Sequence, residues 1–161
     1  MSDAAMPDVG QEAPDFELKG PAGTPITLSE FRGVKNVMLV FYPLAFSPVC
    51  SHQIAELQAA FPRFKAADTE VFGISVDSHF VGSAFARTIG ISFTLLSDWK
   101  REASAAYGSL IPELGFSARV SFLVDKQGKI IWREAGEYTG GVDSPPGVEG
   151  ALAALAALGQ S

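Results

Sequence analysis

The chain is poorest in cysteine. Among its 161 residues only Cys50 carries a thiol, which excludes an internal disulfide and with it a disulfide-stapled secreted scaffold. Histidine is nearly as scarce: His52 and His79 are the only two, scattered too far from each other to suggest a metal centre, and no metal is expected. There is no Gly-x-Gly-x-x-Gly run and no P-loop, so no nucleotide or other cofactor is expected. Long apolar runs are missing too. The strongly apolar run Val37 to Tyr42 falls far short of the roughly 20 residues that span a bilayer. No cationic segment leads into an apolar one at the start, so a secretory signal is not expected. Positive charge is in deficit. Twelve Lys and Arg against 18 Asp and Glu give a net charge of -6, which disfavours nucleic acid and anionic membranes as partners. No repeat and no low-complexity run occurs. These absences leave a soluble, cytoplasmic, single-domain protein over residues 1–161, long enough to bury roughly 70% of its unfolded surface.

What is present is an alternation of strands and helices. Residues 1–13 are polar or small and expected to be loose. Phe16 to Leu18 and Ile26 to Leu28 alternate around Gly20-Pro21-Ala22-Gly23, the pattern of an N-terminal hairpin, and Ser29 to Gly33 reads as a short helical turn. Val37 to Tyr42 is apolar on consecutive positions, as expected of a strand covered on both faces. From Ser47 to Ala67 the pattern is helical: Cys50, Ile54, Leu57, Phe61 and Phe64 share one face, and Pro62 threatens to kink or shorten the helix. Further strands are predicted at Val71–Val76 and Phe93–Leu96, with helices at Phe80–Ile89 and Lys100–Tyr107 stopped by Gly90 and Gly108. Val120–Val124 and Lys129–Trp132 flank the turn Asp125-Lys126-Gln127-Gly128. A Gly/Pro-rich loop over Gly140 to Gly147 leads to a last helix, Val148–Leu158, ended by Gly159. This order predicts an α/β fold: a central mixed sheet flanked by helices, with an N-terminal β-hairpin extension. Reactive groups in such sheets sit beyond the carboxyl ends of the strands, and Cys50 lies just past the first buried strand.

Cys50 closes the run Pro43-Leu44-Ala45-Phe46-Ser47-Pro48-Val49-Cys50. Ser47 suits the N-cap and Pro48 the first helical position, where its missing N–H needs no partner. Cys50 is then the third helical residue. Unpaired N–H groups and the positive end of the helix dipole favour its thiolate, the nucleophilic and oxidisable form. Helix phase alone fits a small core hydrophobe equally well.

The spacing Pro43-x-x-x-Ser47-x-x-Cys50 after an apolar strand resembles the active-site signature Pro-x-x-x-Thr/Ser-x-x-Cys of the peroxiredoxins. The resemblance runs from about Pro14 to the last helix. Ala13-Pro14-Asp15-Phe16, Gly73-Ile74-Ser75-Val76-Asp77, Leu95-Leu96-Ser97-Asp98, Ala106-Tyr107-Gly108 and Arg119-Val120-Ser121-Phe122-Leu123-Val124-Asp125 carry it further. The Pro-Leu-Ala-Phe run and the lone cysteine look most like the one-cysteine branch of alkyl hydroperoxide reductase E (AhpE-like). The resemblance implies a thioredoxin-like fold and a thiol-dependent peroxidase serving antioxidant defence. It implies Cys50 as the peroxidatic nucleophile, Ser47 placing its hydroxyl on the peroxide, Pro43 shielding the pocket, and Arg119 hydrogen-bonding cysteine and peroxide. A fixed cation there would lower the thiol pKa and steady the charge on the leaving oxygen. Two positions depart from the family. Ser47 stands where many members have threonine, which loses a methyl. Gln53 stands where many have glutamate, which loses a negative charge.

Without the resemblance, Arg119 reads as a solvated arginine at a strand start, Ser47 as a cap and Pro43 as a strand terminator. His52 sits two residues past Cys50, off its helix face, and reads as a surface residue. Two rivals to the peroxidase remain open: a redox sensor that signals through Cys50 oxidation, and an inert scaffold with Cys50 in the core. The partners implied are a hydroperoxide and an external thiol or thioredoxin-type reductant. A homodimer is expected, with Phe46, Phe80 and Trp99 supplying apolar contacts.

Overall fold

The computed structural model describes residues 6–135 and 148–158, with the side chains of Pro48, Val49, Cys50 and His52 outside that description. The predicted loop at Gly140–Gly147, the Gly159 stop and the surface position of His52 therefore lie outside it.

The strands run β1 (Glu17–Lys19), β2 (Pro25–Thr27), β3 (Asn36–Phe41), β4 (Thr69–Ser75), β5 (Thr94–Ser97), β6 (Leu110–Ile111), β7 (Phe116–Ser117), β8 (Val120–Val124) and β9 (Ile130–Ala135). The helices are α1 (Pro48–Ala66), α2 (His79–Ile89), α3 (Glu102–Ala106) and α4 (Val148–Leu158). Seven strands form one sheet in the order β2-β1-β5-β4-β3-β8-β9. β3 pairs parallel with β4 and antiparallel with β8, and β4 pairs parallel with β5. The result is a mixed sheet flanked by helices, the thioredoxin-like arrangement.

β3 lies at the centre, buried along its whole length. Its side chains alternate between two cores. Met38, Val40 and Tyr42 join Ile54, Leu57, Phe61 and Phe64 of α1, Phe85 of α2 and Leu155 of α4. Val37, Leu39 and Phe41 join Ala103 of α3, Tyr107 and Phe122 on the opposite face. α1 and α2 sit on the same face because successive β-α-β crossovers toward one edge are both right-handed. Each of the larger side chains contributes roughly 1.5–3 kcal/mol by leaving water. Gly73 of β4 lets the faces close: a Cβ there would come within 2.7 Å of the Leu95 side chain and 3.3 Å of the Tyr42 ring.

Helix ends follow their local chemistry. The Ser78 hydroxyl accepts the Val81 N–H at 3.2 Å and starts α2, and Gly90, left-handed at φ 71°, ends it. α1 runs on past Pro62, which faces solvent, so the predicted shortening does not occur.

Four expectations are corrected. Pro7–Ala13 is not loose: Gly10 N–H bonds Ile130 O at 2.8 Å, Ile130 N–H bonds Gln11 O at 2.9 Å, and Ala13 is buried. The Arg133 guanidinium holds the Met6 and Pro7 carbonyls from β9. α3 begins at Glu102 rather than Lys100, because Arg101 takes a left-handed conformation (φ 63°) and the Asp98 carboxylate accepts the Ala103 and Ser104 N–H groups. A two-stranded ribbon, β6-β7, lies between α3 and β8 where no strand was expected. β9 extends three residues beyond the predicted end, to Ala135.

Candidate active site

The site is set by where β3 ends. Past Phe41 the backbone holds on for one more bond, Tyr42 N–H to Ile74 O at 3.0 Å. Pro43 follows, buried, with no N–H to continue the ladder. The next residues fold tightly. The Ser47 hydroxyl donates to Leu44 O at 3.1 Å, and Ala45 N–H donates to Asp77 Oδ2 at 2.8 Å. Phe46 takes φ 67°, a left-handed conformation that costs a non-glycine residue of order 1–3 kcal/mol, and its ring lies 5.0 Å from that of Phe85.

The helix then opens as the residue types require. Ser47 O accepts the Ser51 N–H at 2.9 Å, so Ser47 occupies the N-cap and Pro48 the first helical position. Cys50 is the third residue of a helix of 19, and its backbone sits where N–H groups lack helical partners and the dipole is positive. The Cys50 sulfur, and with it the alternative of a core-facing thiol, lies outside the described residues.

Arg119 stands immediately before β8. Because Phe41 pairs with Val120 across the β3-β8 ladder, Arg119 flanks the end of β3, where Tyr42 and Pro43 turn toward α1. It is only 5% exposed, which overturns the solvated strand-start reading. A guanidinium leaves water to this extent only where the fold compensates its charge. Gln53, one helical turn past Cys50, is 3% exposed, and its Oε1 has no hydrogen-bond partner among the described residues. The family glutamate at this position would bury a formal charge; the amide does not.

One group at the site went unassigned in the sequence. Asp77, just past β4, accepts from both Ala45 N–H and the Ser75 hydroxyl on the same oxygen, each at 2.8 Å. Its own carbonyl accepts the Ser97 hydroxyl at 2.6 Å. The available signal was the alternation Ser75-x-Asp77 at a strand's carboxyl end. The partner it finds is a backbone amide 32 residues earlier.

Known proteins resemble the chain in sequence and in fold. The family model described as AhpC/TSA matches residues 9–133. Alkyl hydroperoxide reductase E of Mycobacterium tuberculosis is 39% identical over 131 residues, covering 80% of this chain and 86% of that protein. A putative peroxiredoxin of Synechocystis is 42% identical over 130 residues, covering 74% of this chain and 64% of that one. Among solved structures, Enterococcus faecalis AhpC matches with a TM-score of 0.84 at 27% identity, covering 94% of this chain and 92% of that one. Peroxidoxin BcpB from Mycobacterium tuberculosis matches with a TM-score of 0.83 at 28% identity, covering 96% and 99%. With a family match over residues 9–133 and a relative 39% identical over 80% of its length, the chain belongs to the AhpC/TSA family of peroxiredoxins.

Proposed function

We propose that Cys50 is the peroxidatic thiol of a one-cysteine, thiol-dependent peroxidase acting on hydrogen peroxide and organic hydroperoxides. The supporting observation is convergence: Cys50 stands third in the helix that leaves β3, and the buried Arg119 flanks the same strand end beside Pro43.

The Cys50 thiolate attacks one peroxide oxygen with a sulfur electron pair. An S–O bond forms as the O–O bond breaks, so sulfur loses two electrons and the peroxide gains them. The departing oxygen takes a proton and leaves as water or an alcohol. Arg119 and the Cys50 N–H steady the charge that moves onto it, Ser47 orients the peroxide, and Pro43 keeps water off the thiolate. No second cysteine exists in the 161 residues, so reduction falls to external thiols. One thiol condenses with the sulfenic acid and releases water; a second displaces Cys50 from the mixed disulfide. A small thiol or a thioredoxin-type protein fits this role.

The test is peroxide consumption by the purified protein with a recycled thiol. Wild type is expected to turn over, and Cys50→Ser to fall to the uncatalysed rate. Equal rates would end the proposal. Sulfenylation without turnover by any thiol would instead indicate a sensor.

The chain acts as one domain and as a homodimer in this proposal. Phe46, Phe80 and Trp99 are 51%, 73% and 64% exposed and cluster by sequence at the carboxyl ends of β3, β4 and β5. A monomeric mass in solution scattering at micromolar concentration would refute the dimer. No described helix is long and apolar enough to cross a membrane. A cytoplasmic location is proposed because a lone thiol that must stay reduced suits a reducing compartment, and fractionation of the protein to another compartment would refute it.

A further inference from the structure

The segment between β3 and α1 is held by a neighbour that none of the site roles includes. Phe46 stays left-handed although its side chain disfavours that conformation, and two of the residues around it are tied down. Ser47 is bonded to Leu44 within the segment, whereas Ala45 is bonded from outside it, by Asp77. Asp77 is in turn aimed from two strands. Ser75 of β4 donates to its carboxylate, and Ser97 of β5 donates to its carbonyl; both serines are buried. The sheet interior thus fixes a carboxylate, the carboxylate fixes the Ala45 amide, and that amide fixes the entry to the helix carrying Cys50.

The geometry points to Asp77 as a positioning residue for the peroxidase reaction: by holding the Ala45 N–H it keeps the Phe46 turn and the first turn of α1 in the form that meets peroxide. This rests on the proposed role of Cys50. Asp77 touches neither the sulfur nor the peroxide in this scheme and acts only through the backbone of 44–47. A hydrogen bond to an ionised acceptor is among the stronger kinds, so its loss releases a turn that its own dihedral angles do not favour.

The hydrogen-bond pattern sets the test. Both donors converge on one oxygen, and an amide oxygen has two lone pairs, so Asp77→Asn keeps both bonds while Asp77→Ala loses both. The readout is the single-turnover rate of Cys50 oxidation by hydrogen peroxide, set against its alkylation by iodoacetamide, which needs a thiolate but no peroxide geometry. Asp77→Ala is expected to slow oxidation roughly ten- to hundredfold and to lower the ratio of oxidation to alkylation by a similar factor. Asp77→Asn is expected to restore oxidation to within about threefold of wild type. A folded Asp77→Ala protein that oxidises at the wild-type rate overturns the inference. So does an Asp77→Asn protein as slow as the alanine variant, or a loss shared equally by oxidation and alkylation. If Asp77→Ala does not fold, Ser75→Ala removes the hydroxyl that aims the carboxylate but keeps its bond to Ala45. A slowing of about threefold or more supports the inference, and an unchanged rate overturns it. A wild-type Cys50 inert to peroxide would instead sink the proposed function, an outcome distinct from all of these.

Discussion

Arg119 carries a full positive charge with only 5% of its surface exposed. An arginine at a strand start is ordinarily solvated, with its aliphatic stem on the surface and its charge in water. Here the ladder register carries it into the interior beside the end of β3. Burial makes its charge effective at close range, since fewer water dipoles screen it. If it steadies the oxygen that leaves the peroxide, its removal should resemble the loss of one oxyanion donor, about 10²–10³-fold in rate. Arg119→Ala is therefore expected to slow Cys50 oxidation by that order and to raise the thiol pKa. Arg119→Lys is expected to recover only part of the rate, because an ammonium lacks the planar fork. Stopped-flow oxidation and the pH dependence of alkylation measure the two effects. A pKa shift without a rate loss at pH values where the thiol is fully ionised would confine Arg119 to tuning the thiol. Gln53 bears on the same site: buried one helical turn past Cys50, its amide brings no negative charge there.

At the scale of the element, α4 shows how one missing side chain sets a helix in place. Its sequence, rich in alanine and leucine, would form a helix almost anywhere. Its seat on β9 depends on Gly150, where a Cβ would fall 2.9 Å from Trp132 Nε1 and 3.4 Å from two further indole atoms. Gly150→Ala therefore sets two effects against each other. Alanine gains about 0.5–1 kcal/mol of helix propensity. Against that, a methyl must displace a rigid ring inside a packed interface, where overpacking typically costs about 1–3 kcal/mol. The clash is expected to win, with a net loss of about 1 kcal/mol in urea unfolding and a shift in tryptophan emission. The control Gly82→Ala, on α2, meets nothing closer than the Leu95 Cβ at 3.8 Å and is expected to be neutral or stabilising. If Gly150→Ala is as stable as that control, the close approach of α4 to Trp132 is not tight in solution.

The whole molecule separates what was readable in the sequence from what was not. The strands β3, β4 and β8, and the helices α1, α2 and α4, announced themselves through runs or periods of apolar residues, because burial is their main source of stability. The spacing from Pro43 to Cys50 was readable because each residue serves the local geometry of a strand end and a helix start. The β6-β7 ribbon was not, since two-residue strands are too short to show alternation. Nor were the anchored segment at Pro7–Ala13 and the Asp77 link, which arise from single hydrogen bonds between distant parts of the chain and leave no periodic trace. Tyr107 belongs to this last kind and connects the most parts. It is fully buried, its ring packs against Phe16, Phe41 and Phe122, and its hydroxyl donates to Pro14 O at 2.6 Å. Burial, with a smaller contribution from the nearby Asp15 charge, holds its pKa well above the ordinary tyrosine value of 10.0. The unfolded chain therefore releases this proton near pH 10 while the folded one keeps it. The stabilising difference is complete below that pH and is lost as pH rises past it, at up to about 1.4 kcal/mol per pH unit. Tyr107→Phe cannot ionise. It is expected to be about 1–2 kcal/mol less stable at neutral pH, because Pro14 O loses its donor, yet to decline less steeply than wild type above pH 10. Urea unfolding across that range checks both halves, and parallel decline of the two proteins would show that Tyr107 does not control alkaline unfolding.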